Sequence, residues 1–383
     1  MRKIFILLII IFFSMNVNSK PNFTIEEIND FKVFKNRNLS ENDYKIQSLN
    51  ERFKIEGTNN SEDSLAFFAS PLAADEDNVG NIFIMDKTSL TIKKFDNNGK
   101  FVISFGGKGN GPGELQGVAS MVVSSGKVHV VDFMKNAVVI FDLDGKYIKD
   151  TPLNNGFPMH LAKVGENKFI GIKDNYYERE GVNYSAKTLT LMNNEFNDLV
   201  KIAEFEFKQD GTTSNSMLDY LIPYAVSDDK IYISSNNEDN YTIDVYNFDG
   251  EKISEIRRDY RKVKMTKKES ETFDDLLTKK NSGRKSPPLS AINKKAVNNI
   301  YCDKNDCLWV LFSIERNKQN EKDFIVDLYE DNILVDRFSL ENFTGYDFFF
   351  LDDRYYFRNN DILHLKVSES TLNVYDFNSL KLK

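Results

Sequence analysis

The sequence predicts an all-β chain built from a repeated four-stranded unit, and three observations carry that prediction. The first is an internal repeat. FDNNG at 95–99 returns as FDLDG at 141–145, which sets Gly99 and Gly145 46 residues apart. Upstream, the apolar runs IFIMD (82–86) and VHVVD (128–132) end in Asp86 and Asp132, also 46 residues apart. Features that share one register at this period signal a propeller or a solenoid. The second observation is composition. With 41% hydrophobic and 13% aromatic residues, 31 of them Phe and 17 Tyr, the chain is rich in strand formers and too apolar for disorder. The third is rhythm: short period-two runs alternate with Asn/Asp-Gly turns, which suit hairpins that need positive φ.

The rhythm continues to the C-terminus. LMNNE (191–195) follows KFIGI (168–172), YNFDG (246–250) follows IYISS (231–235), and YDFNS (375–379) follows YYFR (355–358). LWVLF (308–312) followed by IVDLYEDN (325–332) completes a set of six units. Between the first two, FGGKGNGPGEL (105–115) resembles the inter-blade signature of NHL repeats. That resemblance holds over about residues 75–150 and implies six blades. The expected fold is therefore all-β, a six-bladed β-propeller closed by an N-terminal strand, with one helical insertion.

Inner strands are expected to start near Pro71, Val118, Pro158, Pro223, Ala296 and Tyr346, and the long third and fourth steps require insertions. The last unit reaches Lys383 with almost nothing left for a fourth strand, and an open blade would expose an edge. ERFKIEG (51–57) resembles KFVISFG (100–106), the outermost strand of the first unit, so 51–57 is expected to complete the last blade.

Ahead of the propeller, Arg2 and Lys3 precede the apolar run Ile4–Phe13, and Val17 and Ser19 suit the −3 and −1 sites of a signal peptidase. Ten apolar residues fall short of the about 20 that a membrane span needs. The expected organisation is a signal peptide at 1–19, an unassigned N-terminal segment at 20–49, and a propeller at 50–383. Cleavage takes the formal charge from −8 to −10. The mature protein is expected to be extracytoplasmic, periplasmic or secreted, with no membrane span. Its acidity does not suit nucleic acid. Cys302 and Cys307 flank the turn formers Asp303, Asn305 and Asp306. In an oxidising compartment that spacing favours a local disulfide, with free thiols as the alternative.

Several motifs are read as structure. The glycines at 106, 107, 109, 111 and 113 lack the Ser or Thr that a Walker loop needs after Gly-Lys, and a strand follows them, not a helix. They are expected to form a tight crossing between blades. Asp86 and Asp132 are expected to close Asx-type turns. Asp142, Asp144 and Gly145 resemble part of a calcium loop but lack its distal glutamate. Of the three histidines, His129 is expected to pack, His160 could face a central channel, and His364 lies in the last unit. Residues 257–295 form a basic insertion of 13 Lys or Arg against five acids. Thr266 and Glu269 make a capping box, so a helical arm is expected. Lys267, Lys268, Lys279 and Lys280 are its candidate contacts for an acidic ligand.

The function expected is binding of a protein, peptide or glycan, as the resemblance to exported NHL-like propellers implies. Candidate channel ligand-binding residues are His160, Tyr224, Asn298, Asn299, Tyr346 and Asp347. No catalytic constellation, metal site or cofactor is expected from spacing. The alternative is a lactonase- or lyase-type propeller enzyme, which would hold calcium or zinc in its channel with side chains from several inner strands.

Overall fold

A computed structural model describes residues 22–39, 44–57, 64–209, 222–280, 293–315, 323–344, 353–358 and 361–380. The expected signal peptide lies outside the described residues. In chain order, β1 (Phe23–Ile28), β2 (Phe31–Asn36), β3 (Lys45–Gln47) and β4 (Asn50–Glu56) precede the repeats. The first blade is β5 (Pro71–Glu76), β6 (Ile82–Asp86), β7 (Thr91–Phe95) and β8 (Phe101–Gly106). The second is β9 (Val118–Ser124), β10 (Lys127–Asp132), β11 (Ala137–Asp142) and β12 (Tyr147–Pro152). The third is β13 (Met159–Val164), β14 (Lys168–Arg179), β15 (Val182–Asn193) and β16 (Asp198–Lys208). β17 (Tyr224–Val226), β18 (Ile231–Ser234), β19 (Tyr241–Tyr246) and β20 (Lys252–Arg258) make the fourth, and helix α1 (Lys267–Lys280) follows. The fifth is β21 (Val297–Cys302), β22 (Leu308–Phe312), β23 (Asp323–Glu330) and β24 (Ile333–Thr344). The sixth has β25 (Asp353–Arg358), β26 (Asp361–Lys366) and β27 (Thr371–Asp376). Six sheets result, antiparallel within each blade, in the arrangement of a six-bladed β-propeller.

The repeated turns work because one side chain satisfies two backbone donors. Asp96 Oδ1 accepts from the amides of Asn98 and Lys100, each at 2.9 Å. Asp142, Asn193 and Asn247 do the same in the next three blades. Each turn then needs a residue at positive φ, supplied by Gly99, Gly145 and Gly250, each at +82°. In the third blade Phe196 takes that place at φ +59°. Its ring stacks on Phe169 at 4.7 Å, so packing offsets the backbone cost and the copy reads weakly in sequence.

Asp86 and Asp132 do more than close turns. Asp86 accepts from Ser89 in its own turn and from the amides of Ala69 and Ser70, which lead into β5. Asp132 accepts from Met134 and Lys135 and also from Gln116 and Gly117. Burial opposes the charge on Asp86, yet the hydrogen bonds from Ser89, Ser70 and Ala69 outweigh it and hold the carboxyl below its ordinary range. The glycine-rich stretch between β8 and β9 is the tight crossing expected. Gly107 N donates to Leu90 O, Leu115 N to Gly107 O, and Gly109 lies against the Glu114 carboxylate.

The chain divides into two compact units. One comprises Leu49–Asn215 and Phe349–Lys383, and holds the first, second, third and sixth blades. Here β4 pairs antiparallel with β27, Ile55 opposite Leu372 and Phe53 opposite Val374, and so supplies the sixth blade's missing strand. Apolar side chains fill the spaces between successive blades: Phe83, Met85, Val123 and Val130 between the first and second, Val131, Ile140, Phe169 and Met192 between the second and third. Asp75 pairs with Arg358 and also accepts from Val123 N at 2.8 Å, which ties the inner strands β25, β5 and β9. The expected start of the sixth inner strand, Tyr346, lies outside the described residues, and β25 spans Asp353–Arg358.

The other unit comprises Met1–Ser48 and Ser216–Phe348, and holds the fourth and fifth blades. The N-terminal segment left unassigned by sequence adds strands here: β2 pairs parallel with β20, and β3 parallel with β24. Asn36, 3% exposed, locks the arrangement by donating to Asn332 O and accepting from Leu334 N. Beneath it, Arg258 and Arg337 both pair with the fully buried Asp327, and both guanidinium groups lie over the Phe312 ring.

Helix α1 starts at the expected capping box, with Glu269 N donating to Thr266 Oγ1 and Thr266 N to Glu269 Oε2. The Cys302–Cys307 disulfide is not formed, and both residues are free thiols. Cys302 lies opposite Leu308 in the β21–β22 ladder, whereas Cys307 is engaged in the turn, its amide donating to Asp303 Oδ1. Burial pushes the Cys302 thiol well above its usual range and Cys307 up to about 12, so neither is a ready nucleophile.

Replacing Asp86 or Asp132 by Ala strands several amides at once. Each substitution is expected to cost about 2–4 kcal/mol, measured by urea unfolding. A loss under about 0.5 kcal/mol would show that these carboxylates are ornamental.

Candidate functional site

The third blade is longer than its neighbours, and the extra length makes a groove. β14 and β15 have 12 residues each and β16 has 11, against five or six for β6, β7, β10 and β11. At about 3.3 Å per residue the surplus adds about 20 Å of sheet. The β14–β15 ladder runs from Lys168 opposite Asn193 to Arg179 opposite Val182. Glu180 and Gly181 turn it at φ +54° and +76°, a two-residue hairpin with both centres left-handed.

Strand alternation puts Lys173, Asn175 and Tyr177 on one face, beside Thr188 and Thr190 of β15 and Glu204 and Glu206 of β16. With Asn155, Asp198 and Lys201 they line a cavity of about 500 Å³. Its polar groups are held in a network. Lys173 Nζ and Asn155 Nδ2 donate to the two oxygens of Asp198, at 2.5 and 3.2 Å. Asn175 donates to Thr188 Oγ1 at 2.8 Å, Thr188 to Glu204 at 3.1 Å, and Lys201 to Glu204 at 2.6 Å. The Tyr177 hydroxyl donates to Glu206, which also receives Arg179 at 3.1 Å. Tyr177 stacks on Tyr184 with centroids 5.6 Å apart, and Arg179 lies 4.4 Å above the Tyr184 ring.

These contacts set the protonation states. The bond to Glu206 pushes the Tyr177 phenol up to about 12, and the bonds from Tyr177 and Arg179 hold Glu206 below the ordinary carboxylate range. The groove thus sets Lys173 against Asp198 and Lys201 against Glu204, with the Tyr177 phenol and Arg179 of the hairpin end both on Glu206. Such a surface donates and accepts hydrogen bonds through its amide, hydroxyl, carboxylate and ammonium groups.

Four of the six expected channel residues are described, His160 in one unit and Tyr224, Asn298 and Asn299 in the other. His160 is exposed on a bulge of β13 at φ +50°. In the other unit Tyr224 opens β17, half-buried, its phenol pushed up by burial. Asn298 is paired with Ser313 at 3.1 Å, and Asn299 donates to the Tyr301 hydroxyl at 2.8 Å. Tyr346 and Asp347 lie outside the described residues. Among the described residues no three His, Cys, Asp or Glu side chains are grouped as a metal site would group them.

The basic insertion spends much of its charge within its own unit. Lys262 pairs with Glu238 and Asp239, Arg261 with Glu315, and Lys294, 2% exposed, pairs with Glu269 of the capping box. Lys267 and Lys268 are exposed at the helix start, Lys267 near Glu271 at 3.6 Å. Lys279 and Lys280 end the helix, and residues 281–292 lie outside the described residues.

Sequence reasoning missed the groove. Its signal was the alternation Glu-Phe-Glu-Phe-Lys at 204–208, which flanks β15 on one side as the aromatic and charged run Tyr176–Arg179 flanks it on the other. Of the other histidines, His364 is buried and stacks on Tyr355 at 4.4 Å. His129 packs as expected, its ring 5.1 Å from Phe169 and 5.9 Å from Phe196.

Six sheets built on one repeated unit, one of them lengthened to form a groove, define a six-bladed β-propeller. The family described as "6-bladed beta-propeller" matches residues 75–338, more than half of the chain, and the protein belongs to that family. Among solved structures, a Bacteroides fragilis NCTC 9343 protein described as exported superposes with a TM-score of 0.52 at 13% identity, over 90% of this chain and 98% of that one. A duf4221-family member from Bacteroides vulgatus ATCC 8482 gives 0.44 at 11% identity, over 86% and 94%. Virginiamycin B lyase from Staphylococcus aureus gives 0.41 at 11% identity, over 85% and 98%. At these identities the likeness is one of fold. No curated protein matches the chain.

Burial, then the charge of Lys127, depresses His129 to about 4, against an ordinary 6.5. The neutral ring is thus favoured in the folded chain, so its stabilisation is complete above pH 6.5 and is lost as pH falls toward 4. Between pH 7 and 4.5 the parent is expected to lose about 2–3 kcal/mol from this group. His129→Leu should flatten that part of the unfolding curve, and an unchanged slope would contradict the assignment.

Proposed function

We propose that this chain is an exported binding protein, a rigid propeller that presents a preformed polar groove on its third blade. The observation that carries the reading is the groove itself, in which the charged and amide groups are fixed by mutual hydrogen bonds before any ligand arrives. Rigid display lowers the entropy cost of binding, because few side chains remain to be ordered. Export is supported by the charged start, the short apolar run and the Val17/Ser19 cleavage pattern. The NHL-like signature at 105–115 supports placing the first two blades with NHL-type propellers. The basic insertion acts as a brace in this reading, since Glu269 and Lys294 pin the helix start beneath the surface.

The test compares three forms of the mature protein as immobilised baits for envelope and medium components. Parent and the arm-reversed form (Lys267, Lys268, Lys279 and Lys280 each to Glu) are expected to retain the same ligand. Tyr177→Ala with Glu204→Ala is expected to lose it while keeping the parent's thermal midpoint. Retention on the groove variant, or loss only on the arm-reversed form, would overturn the assignment. Native protein should begin at Lys20, and an N-terminus at Met1 would contradict export.

A further inference from the structure

We infer that the third-blade groove takes a neutral oligosaccharide, an inference that rests on the binding role proposed above and names its ligand class. Four features point to this chemistry.

The first is the balance of charge. Lys173, Lys201 and Arg179 stand against Asp198, Glu204 and Glu206, and each cation is already paired to one of those acids. A charged ligand would have to break a pair and leave a like charge beside it, at a cost the groove does nothing to offset. A hydroxyl breaks nothing. Each carboxylate oxygen accepts more than one hydrogen bond, so Asp198 and Glu204 can each receive a hydroxyl in addition to the partners they hold.

The second is the kind of donor and acceptor. Carboxylates, the Asn175 amide and the Thr188 hydroxyl, with the Asn155 amide from the loop before β13, are donors or acceptors held in place by mutual hydrogen bonds. Vicinal sugar hydroxyls are both donors and acceptors, and such planar groups engage them in pairs. The third is the aromatic wall. Tyr177 lines the groove and is held rigid by its stack on Tyr184 and its bond to Glu206. A fixed ring beside polar groups suits a ligand that has an apolar C–H face and a polar rim. The fourth is size. The cavity of about 500 Å³ is open along the sheet. It lies within the roughly 300–1,000 Å³ range of ligand sites and leaves room for a short chain to enter lengthwise.

A peptide could in principle add to the edge of β16. The two places where this chain already adds strands, β2 on β20 and β3 on β24, use edges in the other unit. The ladder to β16 carries two bulges, near Leu189–Thr190 and Leu191–Met192, which interrupt a regular edge. The polar face is therefore the better-built surface.

The experiment is isothermal titration of the mature protein with oligosaccharides from neutral glucan, mannan, xylan and galactan, and with oligogalacturonate as the anionic control. Measurements run at low and high salt. At least one neutral series is expected to bind with an affinity that salt leaves unchanged. Asn175→Ala and Tyr177→Ala should each weaken it about tenfold or more. Thermal midpoints equal to the parent's show that the variants fold, and Lys267→Glu, far along the chain from the groove, should bind like the parent. No binding by any neutral series, binding that the groove variants do not move, or binding confined to oligogalacturonate and abolished by salt would each overturn the inference. A peptide or protein ligand lost on the groove variants would overturn the sugar and leave the binding role standing. Loss of every ligand from the groove would overturn both.

Discussion

The structure depends on one pairing, that of β4 with β27. A blade with three strands has an open edge and an uncovered apolar face, and the C-terminal repeat ends one strand short. β4 supplies that strand from the other end of the chain. Ile55 thereby joins Ala74, Ile82, Ile84, Leu363 and Leu372 in the core between the sixth and first blades. Without it, that core would open to water along its length. Burying even one such side chain is worth about 1.5–3 kcal/mol, so the strand accounts for a large share of a typical net stability.

With the blades fixed, length becomes free to vary where strands project. The hairpin of β14 and β15 continues past the blade core because each added residue pair brings backbone hydrogen bonds of its own. The projecting faces have little core to cover and are lined by polar groups. Lys173, Arg179, Lys187 and Lys201 are each paired with an acid there, which helps to fix their side chains. The groove thus follows from the same pairing rules as the blades, extended by a few residues and carrying different side chains. The fourth and fifth blades solve a different problem: their outer strands β20 and β24 are covered in parallel by β2 and β3, and Asn36, on β2 beside β20, bonds across to Asn332 and Leu334 of the fifth blade.

What the sequence revealed follows from which interactions are local. The Asx turns at Asp96 and Asp142 involve neighbours within four residues, so they repeat visibly and disclose the blades. The closing strand was legible for a related reason, since residues 51–57 share the pattern of β8, whose role in the first blade β4 takes in the sixth. The strands β2 and β3 were not legible, because they pair in parallel with partners more than 200 residues away, and β1, antiparallel to β2, matches no repeat. Phe196 hid the third turn by standing where glycine was expected. Cys302 and Cys307 misled because spacing suggested a bond that the ladder, with Cys302 opposite Leu308, does not make. The groove escaped notice because its residues come from three strands and an upstream loop, and none is unusual alone.

Native-state hydrogen exchange tests the central claim most directly. If β4 is an integral strand of the sixth blade, its amides from Arg52 to Glu56 that point into the ladder exchange only with global unfolding, at the same free energy as those of β27. Ile55→Asp should release both strands together. Rapid exchange of β4 while β27 stays protected would show that the N-terminal strand merely rests on the blade, and the account of how this propeller is completed would fail.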